Sequence, residues 1–215
     1  MLKEFIETID NFDRLSKLLS ITNDITPAFE IRYKTVFKED NHFYRVDKKS
    51  ETLIRKLISI LCKEETDTNF FFDEKIIYYN DYLFITEQDK ISPLPTIEEI
   101  EGIEIADFKD KKGFSENGQF NGSNLGYDFD QGIPKLILKH YKKKYNSIMD
   151  FISKYKIFGF HKNNFGITKD GKIVCFDYVI NGALFNGALF EKDMISLNGK
   201  KYPISMEDAL NKWVI

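Results

Sequence analysis

Apolar residues recur along this chain with two periods, and the changes between them mark its elements. Over residues 1–20, Leu2, Phe5, Ile6, Ile9, Phe12, Leu15, Leu18 and Leu19 fall at helical spacing. That predicts an amphipathic helix, its apolar stripe serving as core or as a partner-binding face. Asn23, Asp24 and Pro27 break the pattern. Alternation follows: Phe29, Ile31, Tyr33 and Val36, then Phe43 and Val46, predict two half-buried strands turning around Glu39-Asp40-Asn41. Ser50 suits an N-cap for a helix over 51–64, with Leu53, Ile54, Leu57, Ile58 and Leu61 on one face. Two more strands are predicted, one in pieces over 70–79 and one over 82–86, joined at Asn80-Asp81.

The second half changes character. Residues 96–112 read as a short acidic helix or loop, whose Glu98, Glu99, Glu101 and Glu104 are too alike in charge to cage a metal on their own. Residues 113–132 carry five glycines in a polar setting and predict a mobile connection. Its aromatics, Phe114, Phe120, Tyr127 and Phe129, suit a loop packed on itself, or next a partner surface. The strongest helical pattern runs over 133–156, with Pro134 in the first turn and Leu136, Ile137, His140, Tyr141, Tyr145, Ile148, Met149 and Ile152 facing inward. A polar loop then feeds a tight hairpin, 165–168 and 172–176, around Lys169-Asp170-Gly171. Leu197-Asn198-Gly199-Lys200 predicts another hairpin, and Ser205 caps a last helix over 206–213. The pentapeptide NGALF occurs twice over 181–190, too few copies for a solenoid.

Composition narrows the classes. Apolar residues make up 42% and aromatics 15%, which excludes global disorder. A net charge of −3 with interspersed signs gives no drive for non-specific nucleic-acid binding. The basic run 135–144 reads as a solvated helix face in preference to a phosphate patch. Cys62 and Cys175 lie far apart in apolar surroundings, as buried thiols of a reducing compartment do. Neither a signal peptide nor an apolar run of spanning length occurs, so a cytoplasmic protein is expected, with no membrane partner. Arginine occurs only four times while Lys, Asn, Ile and Phe abound, the mark of an AT-rich bacterial or phage genome.

Chemistry concentrates in 157–181. The hairpin places Asn164 before its first strand and Asp177 after its second, and an Asn and an Asp held together can share a hard divalent cation through their oxygens. This segment resembles the catalytic loop and metal-binding Asp of the protein-kinase-like superfamily, whose loop reads H-x-D-x-x-x-x-N and whose next strand pair ends in D-F-G. Asn164 falls at the loop Asn and Asp177 at the D-F-G Asp, thirteen residues on. The small bacterial and phage variant D-L-H-x-x-N-x-G is similar to Phe160-His161-Lys162-Asn163-Asn164-Phe165-Gly166. Three positions depart: Gly159 stands where the proton-accepting Asp belongs, Ile157 where the first His does, and Val179 at the D-F-G Gly.

The resemblance implies an α+β, bilobal fold. Residues 1–91 would form an N-terminal helix and a small antiparallel-sheet lobe with one helix, ordered strand, strand, helix, strand, strand. Residues 92–215 would form a reduced, mainly helical lobe carrying the hairpin. Glu87-Gln88-Asp89-Lys90 would be the hinge, and Asn164 and Asp177 would face the cleft between the lobes. The resemblance also implies ATP and Mg²⁺, with Asn164 and Asp177 on the metal, Arg45 or Lys48 on phosphate, Glu51 as the helix partner of that cation, and Glu87 at the nucleotide's hinge edge. His161 is the nearest substitute for the missing proton acceptor; a loop His satisfied by backbone is the plainer reading. No glycine precedes Gly102, so the Gly-rich phosphate loop is absent, and the segment after Asn181 is too short for an activation loop and its helices. A pseudokinase-like protein, with nucleotide affinity weak or lost and docking on a partner protein, is therefore expected. A Mg-dependent phosphotransferase or AMP transferase with an altered loop is the alternative.

Overall fold

A computed structural model describes residues 35–39, 42–79, 83–89, 91–105, 107–122, 129–130, 132–180, 194–197 and 200–203. The N-terminal helix, the NGALF repeat and the last helix expected above lie outside these residues. The described chain is a mixed α+β protein built on small antiparallel sheets. It divides into two compact units, one formed by residues up to Lys56 with 74–89, the other by 57–73 with 91 onward.

In the first unit the strands are β1 (Thr35–Glu39), β2 (His42–Lys48), β3 (Lys75–Tyr79) and β4 (Leu83–Asp89), in sheet order β1-β2-β4-β3. Helix α1 (Lys49–Thr66) follows β2, so the order strand, strand, helix, strand, strand is as the hydrophobic pattern predicts. Glu39 pairs with His42, the last pair of the β1–β2 ladder. Two boundaries move. Lys48 still pairs with Leu83, so α1 begins at the next residue and Ser50 falls inside its first turn instead of capping it. Strand β4 is paired on both sides, and its ladder carries it through Asp89, three residues past the expected end. Glu87 sits within β4, opposite Tyr44 and Lys75.

The second unit is held by aromatic packing. Helix α2 (Ile97–Glu101) starts with a reciprocal capping box: the Thr96 side chain accepts from the Glu99 N–H, and the Glu99 side chain from the Thr96 N–H. Helices α3 (Ile133–Tyr141) and α4 (Tyr145–Tyr155) replace the single helix expected over 133–156. Between them Lys142–Lys144 form a 3₁₀ turn, and Lys142 (φ 40°, ψ −104°) cannot continue an α-helix. Three exposed lysines in a row offer no apolar anchor there, and the tyrosines on either side reach different carbonyls. Tyr141 Oη donates to Ile173 O at 2.7 Å, and Tyr145 Oη to Lys112 O at 2.9 Å.

Strands β5 (Ser92–Pro93), β7 (Phe165–Ile167) and β8 (Ile173–Cys175) form one small sheet. Strands β6 (Ile157–Phe158) and β9 (Val179–Ile180) form another, and β10 (Met194–Leu197) pairs with β11 (Lys200–Pro203) in the second expected hairpin. The open edge of β8 is covered by 70–72: Cys175 N–H donates to Phe70 O and Phe72 N–H to Cys175 O, both at 2.8 Å. Phe70 and Phe71 are fully buried and pack on Tyr141, Phe151, Phe160, Phe165 and Tyr178. Cys62 and Cys175 are buried in this unit and form no disulfide. Among the described residues no helix is long and apolar enough to cross a membrane.

Candidate functional site

The hairpin forms where the sequence places it. Gly171 supplies the left-handed residue of the turn (φ 77°), and Thr168 and Lys172 close it through Thr168 N–H to Lys172 O at 2.9 Å. Its open end is closed by another backbone bond, Phe176 N–H to Asn164 O at 2.9 Å. That bond sets the Asn164 backbone beside the residue preceding Asp177, so both positions lie at the mouth of one hairpin. Both are half-buried.

Upstream, Gly159 turns the chain out of β6 at φ 83°. Phe160 (0% exposed) and Phe165 (3%) pin the two ends of the loop into the core, and His161, Lys162 and Asn163 stand exposed between them. Residues 162–164 wind into one 3₁₀ turn, closed by Asn164 N–H to His161 O at 2.8 Å. The Asn164 side chain folds back: Nδ2 donates to Gly159 O at 2.6 Å. Because a carbonyl can only accept, this bond assigns the amide nitrogen to Gly159 and leaves Oδ1 as the other polar atom of the side chain.

A strap from outside the loop holds the same turn. Phe129 stacks on Phe160 with centroids 4.5 Å apart and planes 14° from parallel, and Asp130 N–H donates to Phe160 O at 3.1 Å. The Asp130 carboxylate then takes two bonds, Oδ2 from Lys162 N–H at 2.6 Å and Oδ1 from His161 Nδ1 at 3.3 Å. Sequence reasoning missed Asp130. Its only signal was Phe129-Asp130 standing at the end of a polar, glycine-rich run. That run is not the mobile connection expected over its described part: Phe114 bridges Phe120, packs on Phe108 and Tyr145, and Phe120 meets Phe129 edge to face. The aromatics stitch the loop down, the self-packed alternative.

The first unit places the remaining candidates. Arg45 on β2 is 4% exposed, and its Nη1 donates to Glu74 Oε1 at 3.0 Å. Arg55 Nε lies 3.3 Å from the same oxygen. Thr86 Oγ1 donates to Oε2 at 2.8 Å, Gln88 Nε2 to Oε1 at 2.6 Å, and Lys56 Nζ to the Glu74 carbonyl at 3.2 Å. Burial alone would push the Glu74 carboxyl up; Arg55, Arg45 and the Thr86 hydroxyl outweigh it and hold the carboxyl below its ordinary range. Glu74, just before β3, is thus the acid that Arg45 meets. Lys48 ends β2, Glu51 lies in the first turn of α1, and Glu87 stands half-buried on β4. The Glu74 cluster was legible only in hindsight, as polar Arg45, Thr86 and Gln88 at positions where β2 and β4 turn inward.

Among the described residues no three His, Cys, Asp or Glu side chains gather in the manner of a complete metal cage. Searches against protein-family models, curated proteins and solved structures find no match to this chain.

Proposed function

We propose that this chain is a kinase-like protein whose catalytic loop has degenerated and which acts by docking on a partner protein in a bacterial or phage-infected cell. One observation carries the reading. The loop position that would present a carboxylate is Gly159, in a left-handed conformation, and its carbonyl is occupied by the Asn164 amide. The loop's polar groups hold the loop's own shape. Arg45, the expected phosphate anchor, is likewise committed to Glu74. Losing a positioned proton acceptor costs about 10²–10⁴ in rate, a loss that a protein kept for binding tolerates. A thermal-shift titration with millimolar ATP and Mg²⁺ or Mn²⁺ tests this: no shift is expected. A partner captured from host lysate should be lost when residues 161–163, exposed at the hairpin mouth, are all replaced by alanine.

A second reading, a Mg-dependent phosphotransferase or AMP transferase, is favoured by the orientation of Asn164. With Nδ2 tied to Gly159, Asn164 Oδ1 and the Asp177 carboxylate would on this reading be the protein's oxygens for Mg²⁺, with substrate phosphates supplying the other ligands. Mg²⁺ would there neutralise charge on the nucleotide phosphates. On this reading a phosphate at Arg45 competes with Glu74. Under it, MgATP stabilises the protein, the stabilisation disappears in Asp177→Ala, and label from α- or γ-labelled ATP identifies the transferred group.

A further inference from the structure

We propose that Asp130 is the positioning residue of His161, fixing its ring so that Nε2 faces outward as the proton acceptor that position 159 no longer supplies. The inference rests on the transferase reading above. An ionised carboxylate carries only acceptors, so the contact between Asp130 Oδ1 and His161 Nδ1 places the ring's proton on Nδ1. The lone pair is then on Nε2. The second oxygen, on Lys162 N–H, and the Phe129–Phe160 stack keep the carboxylate from turning away.

Stability alone gives little reason for this arrangement. The His161 and Asp130 side chains are 57% and 39% exposed, and ion pairs so open to solvent contribute about 0–1 kcal/mol. Yet Asp130 reaches this ring from 31 residues away through a stacked aromatic, a backbone bond and two side-chain bonds. A carboxylate that orients a histidine through Nδ1 and leaves Nε2 to accept a proton is a recurrent way of building a base. The substrate class is a hydroxyl-bearing acceptor. Its O–H bond breaks and the proton passes to Nε2. The freed oxygen would form a bond to the γ- or α-phosphorus of ATP, and the P–O bond to ADP or pyrophosphate would break with its electron pair leaving on that group.

Long-range ¹⁵N–¹H NMR of the imidazole at about pH 8.5, roughly two units above the usual histidine range, reads the tautomer directly. His161 is expected in the Nδ1–H form. In Asp130→Asn the amide oxygen can still hold Lys162 N–H while the NH₂ group donates to Nδ1, so the ring should change to the Nε2–H form. An Nε2–H majority in the unmodified protein, or a tautomer indifferent to Asp130→Asn, overturns the proposal. The unmodified protein alone decides the first point, whatever becomes of the variant's fold. In parallel, label transfer from ATP to glycerol or a serine peptide should fall at least about 10²-fold in His161→Ala. The expected tautomer with no transfer to any acceptor overturns the transferase reading and the proton-accepting role together. Transfer with the other tautomer overturns the role of Asp130 only.

Discussion

The side-chain amide of Asn164 donates to the carbonyl of Gly159 at 2.6 Å and so closes the loop that carries the exposed residues 161–163. Asn164→Asp should break this contact, because a carboxylate has no proton to give and would face a carbonyl oxygen. A half-buried acceptor left without its donor costs about 1–3 kcal/mol. Urea denaturation should show a loss in that range for Asn164→Asp and a similar loss for Asn164→Ala. The aspartate variant should regain part of it in millimolar Mg²⁺ if the hairpin mouth holds a cation, whereas alanine should not.

Gly159 offers a cleaner experiment than its place in a tight loop suggests. A Cβ built there meets Val179 Cγ2 and Val179 N at 3.6 Å and the Asn164 amide nitrogen at 3.9 Å, all ordinary contacts. The only penalty is the backbone at φ 83°, about 1–2 kcal/mol for most residues and less for Asp or Asn. Gly159→Ala should therefore lose about 1 kcal/mol and Gly159→Asp no more. Gly159→Asp also places a carboxylate where the proposed kinase-like loop would carry one. A rise in label transfer from ATP in that variant, measured against the unmodified chain, checks whether the rest of the site can still work.

What the sequence made legible was local. Turn chemistry at Asp170-Gly171 and alternation around it placed the hairpin to within a residue, because φ preferences and period-two burial act over a few positions. The same locality explains the misses. Nothing near Glu87 says that pairing with β2 will extend β4 to Asp89. The heptad-like pattern through Tyr141 and Tyr145 is continuous, yet tertiary bonds to Ile173 and Lys112 coincide with a break between them. Asp130 and Glu74 are the extreme cases. Each is an acid in an unremarkable stretch, and each acquires its role from partners that only the tertiary fold delivers: His161 for one, Arg45 and Arg55 for the other.

Phe129 tests whether the strap governs the loop. Its ring stacks on Phe160 and meets Phe120 edge to face at 5.9 Å, and it is half-buried. Phe129→Ala should cost about 2 kcal/mol, less than a fully buried Phe and more than an isolated aromatic pair. The sharper readout is hydrogen exchange. Lys162 N–H is bonded to Asp130 Oδ2, so its protection should collapse in Phe129→Ala, while the Cys175 amide, held by Phe70 O in the covered edge of β8, should remain protected.

Glu74 sets the acid limit of the first unit. Its carboxylate is about 5% exposed and sits between two guanidinium groups, with Thr86 and Gln88 donating to the remaining lone pairs. Replacing one partner of such a buried pair strands the others, at about 3–5 kcal/mol, so Glu74→Ala should be severely destabilised. Glu74→Gln keeps an acceptor but presents an NH₂ group to a cation and should lose somewhat less. The sign of the pH dependence follows from the carboxyl lying below its ordinary value of 4.5 when folded. Unfolding lets it take up a proton more readily, so its stabilisation is complete above that value and is lost as pH falls through the lower, folded one. His140 acts in the same direction at higher pH: burial first, then Lys139, lowers its folded pKa from 6.5, so acidification below that point favours the unfolded chain. Denaturation midpoints should hold steady between about pH 7 and 8, decline modestly below about pH 6.5, and drop further below about 4.5. In Glu74→Gln the second decline should be blunted and the first unchanged; an unaltered second decline would mean that other carboxylates set the acid limit.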